Sequence, residues 1–266
     1  MQMDMNGKHV HWATGGMVSE DADAPVLVLV HGAGMDGTIW QLQSRYLAHR
    51  GVKVMALDLP GHGASDGPVL ENIPDMADWV LSALAAANVK RAVIAGHSMG
   101  ALIALQTAAG APELFSAVGL LGCAAEMPVH PGLIKAAEDG GALAPELVVD
   151  WGFGTISHKG GHPQPGLWAM GAGVRLLMNA DPGVLARDLV ACDVYKDALA
   201  ALAKVTVPVH LIAGDQDKMA PVKATAPLLQ SGVDISSTVL AKTGHMMMIE
   251  RPREVAKMLL DLARTA

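Results

Sequence analysis

Residues 96–100 read Gly-His-Ser-Met-Gly, so Ser98 has a glycine two positions to either side. A serine hydroxyl is a weak nucleophile at neutral pH. It attacks a carbonyl only beside a base, and that base needs a third group to orient it. The chain supplies both kinds of group further on. Asp215 and Asp217 lie in GDQDKMAP, and His245 lies in TGHMMMIERP. Hydroxyl, imidazole and carboxylate together are the equipment for acyl transfer. A five-residue Gly-x-Ser-x-Gly pattern also arises by chance, so its meaning depends on the elements that hold it.

Those elements are legible. VLVLV at 26–30 is apolar on both faces, as a central strand covered by helices on both sides must be. Similar runs stand at 52–57, 92–95, 117–121, 209–213 and 238–241. Helical patterns lie between or after them at 40–50, 74–88, 99–109, 221–230 and 252–264. This alternation predicts an α/β fold with a mostly parallel sheet flanked by helices. Ligands in such sheets bind beyond the carboxyl ends of the strands. Ser98, both aspartates and His245 all fall just past predicted strand ends. The glycines then have a role, since a serine on a tight strand-to-helix turn needs small neighbours for the two elements to approach.

The rhythm stops between residues 124 and 204, where Gly, Pro and Trp are scattered among short helical patterns. This stretch reads as a mainly helical insertion over a core made of residues 1–123 and 205–266. Segments inserted at strand ends often cover a site. Trp151, Phe153, Trp168, Met170 and Met178 inside it, with Met246 beside His245, are expected to line an apolar substrate pocket. The competing expectation is that at least half of them only pack the insertion.

Composition narrows the function further. The chain has 266 residues, 51% of them hydrophobic, which is enough for a sizeable core. Only 3% are aromatic, so 16 methionines share the filling. The net charge is −7 with no dense Lys/Arg cluster, which argues against nucleic acid or an anionic membrane as partner. Neither of the two cysteines, Cys123 and Cys192, sits in a CxxC pattern, and two buried thiols are expected. No signal peptide or membrane span is visible, and the expected location is the cytoplasm.

Five segments in this order, HGAGMDGTIW, DLPGHGASDGP, AGHSMG, GDQDKMAP and GHMMMIERP, resemble the α/β-hydrolase family. The resemblance covers almost the whole chain outside the insertion. It implies an esterase-like enzyme with a helical cap, Ser98 as nucleophile and His245 as base. The family's G-x-x-D-x-x-x-P pattern falls on Asp217 as the acid, with Asp215 as the alternative and a turn residue otherwise. The resemblance also implies an oxyanion hole made by the backbone N–H groups of Met99 and Ala33. Family members that displace halide or open epoxides use an aspartate nucleophile, which this chain lacks. No P-loop or dinucleotide motif is present, so neither cofactor nor metal is expected.

The implied partner is a small-molecule ester or related acyl substrate. Cleavage of a C–C bond, lactone, thioester or amide stays open, with Arg175 as a candidate anchor for a carboxylate tail. A binding protein on the same fold is the third reading, and an intact Ser–Asp–His set speaks against it. His31, His62 and His97 are expected to be structural, with His97 turned away from the nucleophile. Oligomeric state is not readable from sequence.

Overall fold

The computed structural model describes residues 1–17, 19–163 and 166–265. One eight-stranded sheet forms its centre. The strands are β1 (Gln2–Met5), β2 (Lys8–Ala13), β3 (Val26–Val30), β4 (Lys53–Leu57), β5 (Ala92–His97), β6 (Phe115–Leu121), β7 (Val209–Gly214) and β8 (Ile235–Leu240). Their order is β1-β2-β4-β3-β5-β6-β7-β8. β3 to β8 pair in parallel, and β1 and β2 add an antiparallel edge.

The helices are α1 (Gln41–Ala48), α2 (Ile73–Ala86), α3 (Met99–Gly110), α4 (Pro131–Asp139), α5 (Leu143–Gly152), α6 (Thr155–His158), α7 (Ala169–Met178), α8 (Val184–Val194), α9 (Ala198–Leu202), α10 (Ala226–Leu229), α11 (Met247–Glu250) and α12 (Pro252–Ala263). Among the described residues no helix is long and apolar enough to cross a membrane.

Strand periodicity sends alternate side chains to opposite faces. In β3, Leu27 and Leu29 enter one layer while Val28 and Val30 enter the other, all fully buried. α2, α3 and α9 fill the layer of Val28 and Val30; α1 and α12 fill that of Leu27 and Leu29. α3 is buried almost all round, which is why MGALIALQTAA shows little amphipathic pattern. α2 starts where Asn72 accepts the Asp75 N–H, with Pro74 in the first turn.

The N-terminal hairpin of β1 and β2 adds to the strands expected from sequence. Its turn is Asn6–Gly7, both with positive φ (57° and 78°), a common way to close two antiparallel strands. β8 also begins earlier than expected. It is an edge strand whose Ser236 and Ser237 are exposed, so it lacks a continuous apolar run. Six helices, α4 to α9, lie between β6 and β7. α9 falls within residues 124–204 yet packs on α3, on the core side.

Candidate active site

β5 ends in the corner that carries Ser98. The backbone there has φ 55° and ψ −119°, a strained conformation for a residue with a side chain. Gly96 and Gly100 make the corner possible. A Cβ on Gly96 would lie 1.9 Å from the Gly100 carbonyl oxygen, and one on Gly100 would lie 2.3 Å from that of Val30. Both obstacles are backbone, so neither can move aside. Gly100→Ala is therefore expected to lose more than about 4 kcal/mol of stability, read as a lowered urea midpoint. A midpoint within experimental error of the parent would contradict this packing.

His245 follows β8 and pairs with Asp217, which follows β7. Its Nδ1 lies 2.8 Å from Asp217 Oδ2, and both side chains are buried. Asp217 Oδ1 accepts the Met219 and Ala220 N–H groups at 2.8 and 2.7 Å. Burial pushes the Asp217 carboxyl up, but the His245 charge and these hydrogen bonds outweigh it and hold it below its usual value. Asp215 is exposed and accepts from Thr243 N–H instead.

The backbone of His245 is fixed on two sides. Its N–H donates to Gly152 O at 2.7 Å, and its carbonyl accepts from His97 Nε2 at 2.9 Å. Glu250 accepts from the preceding Gly244 N–H and also from Gly154 N–H, tying this loop to the end of α5. His97 thus holds the His245 backbone, and its ring lies 4.7 Å from the His245 ring. Burial and the neighbouring His245 keep it well below the usual histidine pKa.

A cavity of about 170 Å³ joins these groups. Ser98, His245 and Ala33 all contribute to its wall. His245 Nε2 is buried and finds no partner among the described residues, so it is not hydrogen-bonded to Ser98 Oγ. Such contacts are often long before substrate binds. Met99 heads α3, and its N–H and that of Ala33 take part in none of the loop hydrogen bonds among the described residues. His31 lies beneath the Ala33 loop, with Nδ1 donating to Gly32 O at 2.9 Å and Nε2 accepting from Leu59 N–H.

Of the six expected pocket residues, Trp151 and Met246 reach the cavity and four do not. Phe153 is buried against Gly173, joining the end of α5 to α7. Met170 is half-buried in the same packing. Trp168 and Met178 are exposed, 74% and 49%. The cause is common to all four. α7 packs on α5, so apolar residues on and around it serve that contact or face solvent. Arg175, also on α7, is exposed and off the wall.

The wall also takes Leu185, Leu189 and Cys192 from α8, residues 127–130 from the segment before α4, and Lys218. Leu185, Leu189 and Cys192 follow i, i+4, i+7 spacing, a signal that helical periodicity could have found. Both cysteines are buried and free. A larger cavity of about 840 Å³ opens at the other end of the sheet, and no histidine lies on its wall.

A model of the alpha/beta hydrolase family matches residues 27–258. The (E)-2-((N-methylformamido)methylene)succinate hydrolase of Acinetobacter baylyi is 25% identical over 242 residues, 89% of each chain. The pimeloyl-[acyl-carrier protein] methyl ester esterase of Methylococcus capsulatus is 26% identical over 263 residues, 88% of this chain and 93% of the relative. The crystal structure of the enol-lactonase from Burkholderia xenovorans LB400 superposes with a TM-score of 0.84 at 22% identity, over 99% of this chain and 100% of that one. At that identity the likeness is one of fold.

Proposed function

Because the chain belongs to the alpha/beta hydrolase family, we propose that it is a serine hydrolase cleaving a small, mostly apolar carboxylic ester. One observation carries the reading. A serine on a strained strand-to-helix corner shares one small cavity with the histidine of a buried Asp–His pair.

Ser98 Oγ attacks the ester carbonyl while His245 Nε2 takes its proton. Asp217 keeps the other ring proton on Nδ1 and stabilises the imidazolium. The N–H groups of Met99 and Ala33 stabilise the developing oxyanion; donors of this kind contribute roughly 3–4 kcal/mol each. His245 then protonates the leaving alkoxide, the alcohol departs and an acyl-enzyme remains. Water, deprotonated by His245, releases the acid. The steps use side chains, backbone and water alone. Helices α4 to α8 act as a cap on this reading, since α5 and α8 wall the cavity above Ser98.

The cavity sets the substrate size. At about 170 Å³ it falls below the roughly 300–1,000 Å³ usual for drug-sized ligands. In a p-nitrophenyl ester panel, acetate to butyrate should be turned over at least about tenfold faster than decanoate, in line with about 0.8 kcal/mol for each methylene accommodated or refused. Absence of turnover on every ester would reject the esterase reading.

A second reading concerns the acid side. Lys218 is on the wall and no Asp or Glu is, which suits a substrate carrying a carboxylate. The Acinetobacter baylyi relative acts, by its name, on a succinate derivative. Preference for a monoalkyl over a dialkyl succinate in the same panel supports it; the reverse preference rejects it.

A further inference from the structure

The insertion reaches the loop that holds Ala33 through one buried carboxylate. Asp188, in the middle of α8, has no exposed area. Its Oδ2 accepts the Gly34 N–H at 2.7 Å and lies 2.9 Å from His62 Nε2. His62 Nδ1 lies 3.0 Å from the Pro60 carbonyl. Both ring nitrogens of His62 therefore face oxygens that only accept, and both must carry protons for the contacts to hold. A buried ion pair of this kind adds little net stability over apolar side chains of the same volume. Its value lies elsewhere.

The loop geometry shows where. In a trans peptide the C=O and N–H lie in one plane and point in opposite directions. His31 holds the Gly32 carbonyl, so the Ala33 N–H of that same peptide points away from His31. Asp188 holds the Gly34 N–H, which belongs to the next peptide. Both planes flanking the Ala33 Cα are thus fixed, one from within the core and one from the insertion. Leu185, one turn before Asp188, lies against Gly34 as well; a Cβ there would come within 2.8 Å of it.

We propose that Asp188, paired with protonated His62, is a positioning residue that aims the Ala33 N–H at the reacting carbonyl only while α8 is docked. This rests on the reading of Ala33 as an oxyanion donor. The pairing makes the aim depend on the charge of His62. Burial lowers the His62 pKa, but the hydrogen bond and charge of Asp188, with the Pro60 carbonyl and the Asp58 charge, raise it above the usual value. The remaining titratable neighbours do not compete. His31, 4.9 Å away, is held neutral at about 4 by burial and by His62 itself, and burial pushes the Cys192 thiol on α8 up. A histidine raised in the folded state contributes stability in full below its unfolded pKa. That contribution is lost as pH rises through the folded pKa. The latch is therefore closed below the raised His62 pKa and opens as pH rises through it.

The test uses Asp188→Ala and Asp188→Asn in the full chain, with active sites counted by fluorophosphonate titration. Asp188→Ala should lose about 10- to 100-fold in kcat per titrated site, with KM within threefold, approaching the loss of one oxyanion donor. Asp188→Asn keeps an acceptor for Gly34 and should recover most of that rate, but without the parent's alkaline fall in kcat. Equal kcat per site in parent and Asp188→Ala would overturn the proposal, as would an unchanged alkaline limb in Asp188→Asn. Imidazole 15N spectra read the latch without turnover: both His62 nitrogens should be protonated at pH 7 in the parent and not in Asp188→Asn. A neutral His62 in the parent also overturns the proposal. If fluorophosphonate fails to label the parent at Ser98, the serine-hydrolase reading fails instead, and the 15N spectra still decide the latch.

Discussion

Ser98→Ala is expected to lower ester turnover by on the order of 10⁶-fold, to the residual rate that binding and oxyanion donors alone support. The removed atom is the only one proposed to form the acyl bond, so no neighbour can share the loss. Cys192 also lies on the cavity wall, but burial pushes its thiol up, which keeps it protonated at neutral pH. The variant should fold normally. Alanine at φ 55° carries the same backbone strain as serine, and Ser98 makes no side-chain hydrogen bond at the head of α3. The checks are kcat/KM on p-nitrophenyl butyrate, loss of fluorophosphonate labelling and an unchanged thermal midpoint. Retention of more than about a hundredth of the parent rate would exclude Ser98 as the nucleophile, because such a residue pair or triad loses far more.

The second large effect separates the two aspartates. Asp217→Asn should lower kcat by about 10⁴-fold, and Asp215→Asn by less than about threefold. The first figure has a geometric cause. Asp217 Oδ1 is occupied by the Met219 and Ala220 N–H groups, which only donate. An asparagine must therefore put its oxygen there and turn its amino group toward His245 Nδ1. Nδ1 then has to accept, the ring proton moves to Nε2, and Nε2 can no longer take the serine proton. Asp215 has no such link, since its carboxylate caps the Thr243 N–H at the surface. A crippled Asp215→Asn beside an active Asp217→Asn would overturn the assignment.

All three substitutions act on residues that the sequence itself singles out. Ser98 was legible because a nucleophile on a tight turn demands glycines, and glycines are specific enough to read. The strands around it were legible because a sheet covered on both faces leaves long apolar runs such as VLVLV. The hairpin of β1 and β2 is harder to read although Asn6–Gly7 is a turn signal, because its strands are short, lie at the edge and carry no continuous apolar run. The pocket is the least legible part. Trp168 and Met178 are large apolar side chains, yet size says nothing about direction.

The sequence alone therefore determined the order of strands β3 to β8 with the main helices between them, the strained corner at Ser98 and the positions of His245 and two aspartates at strand ends. These follow from local rules: side-chain period, glycine at close approaches, and the carboxyl end of each strand. Only the tertiary structure decided which aspartate meets His245 and which face of α8 walls the cavity. It alone showed that Asp188, 154 residues from Gly34 along the chain, grips the Ala33 loop. Each of those depends on how elements distant in sequence pack against one another, and a linear pattern records the period of a helix but not its rotation or its neighbour.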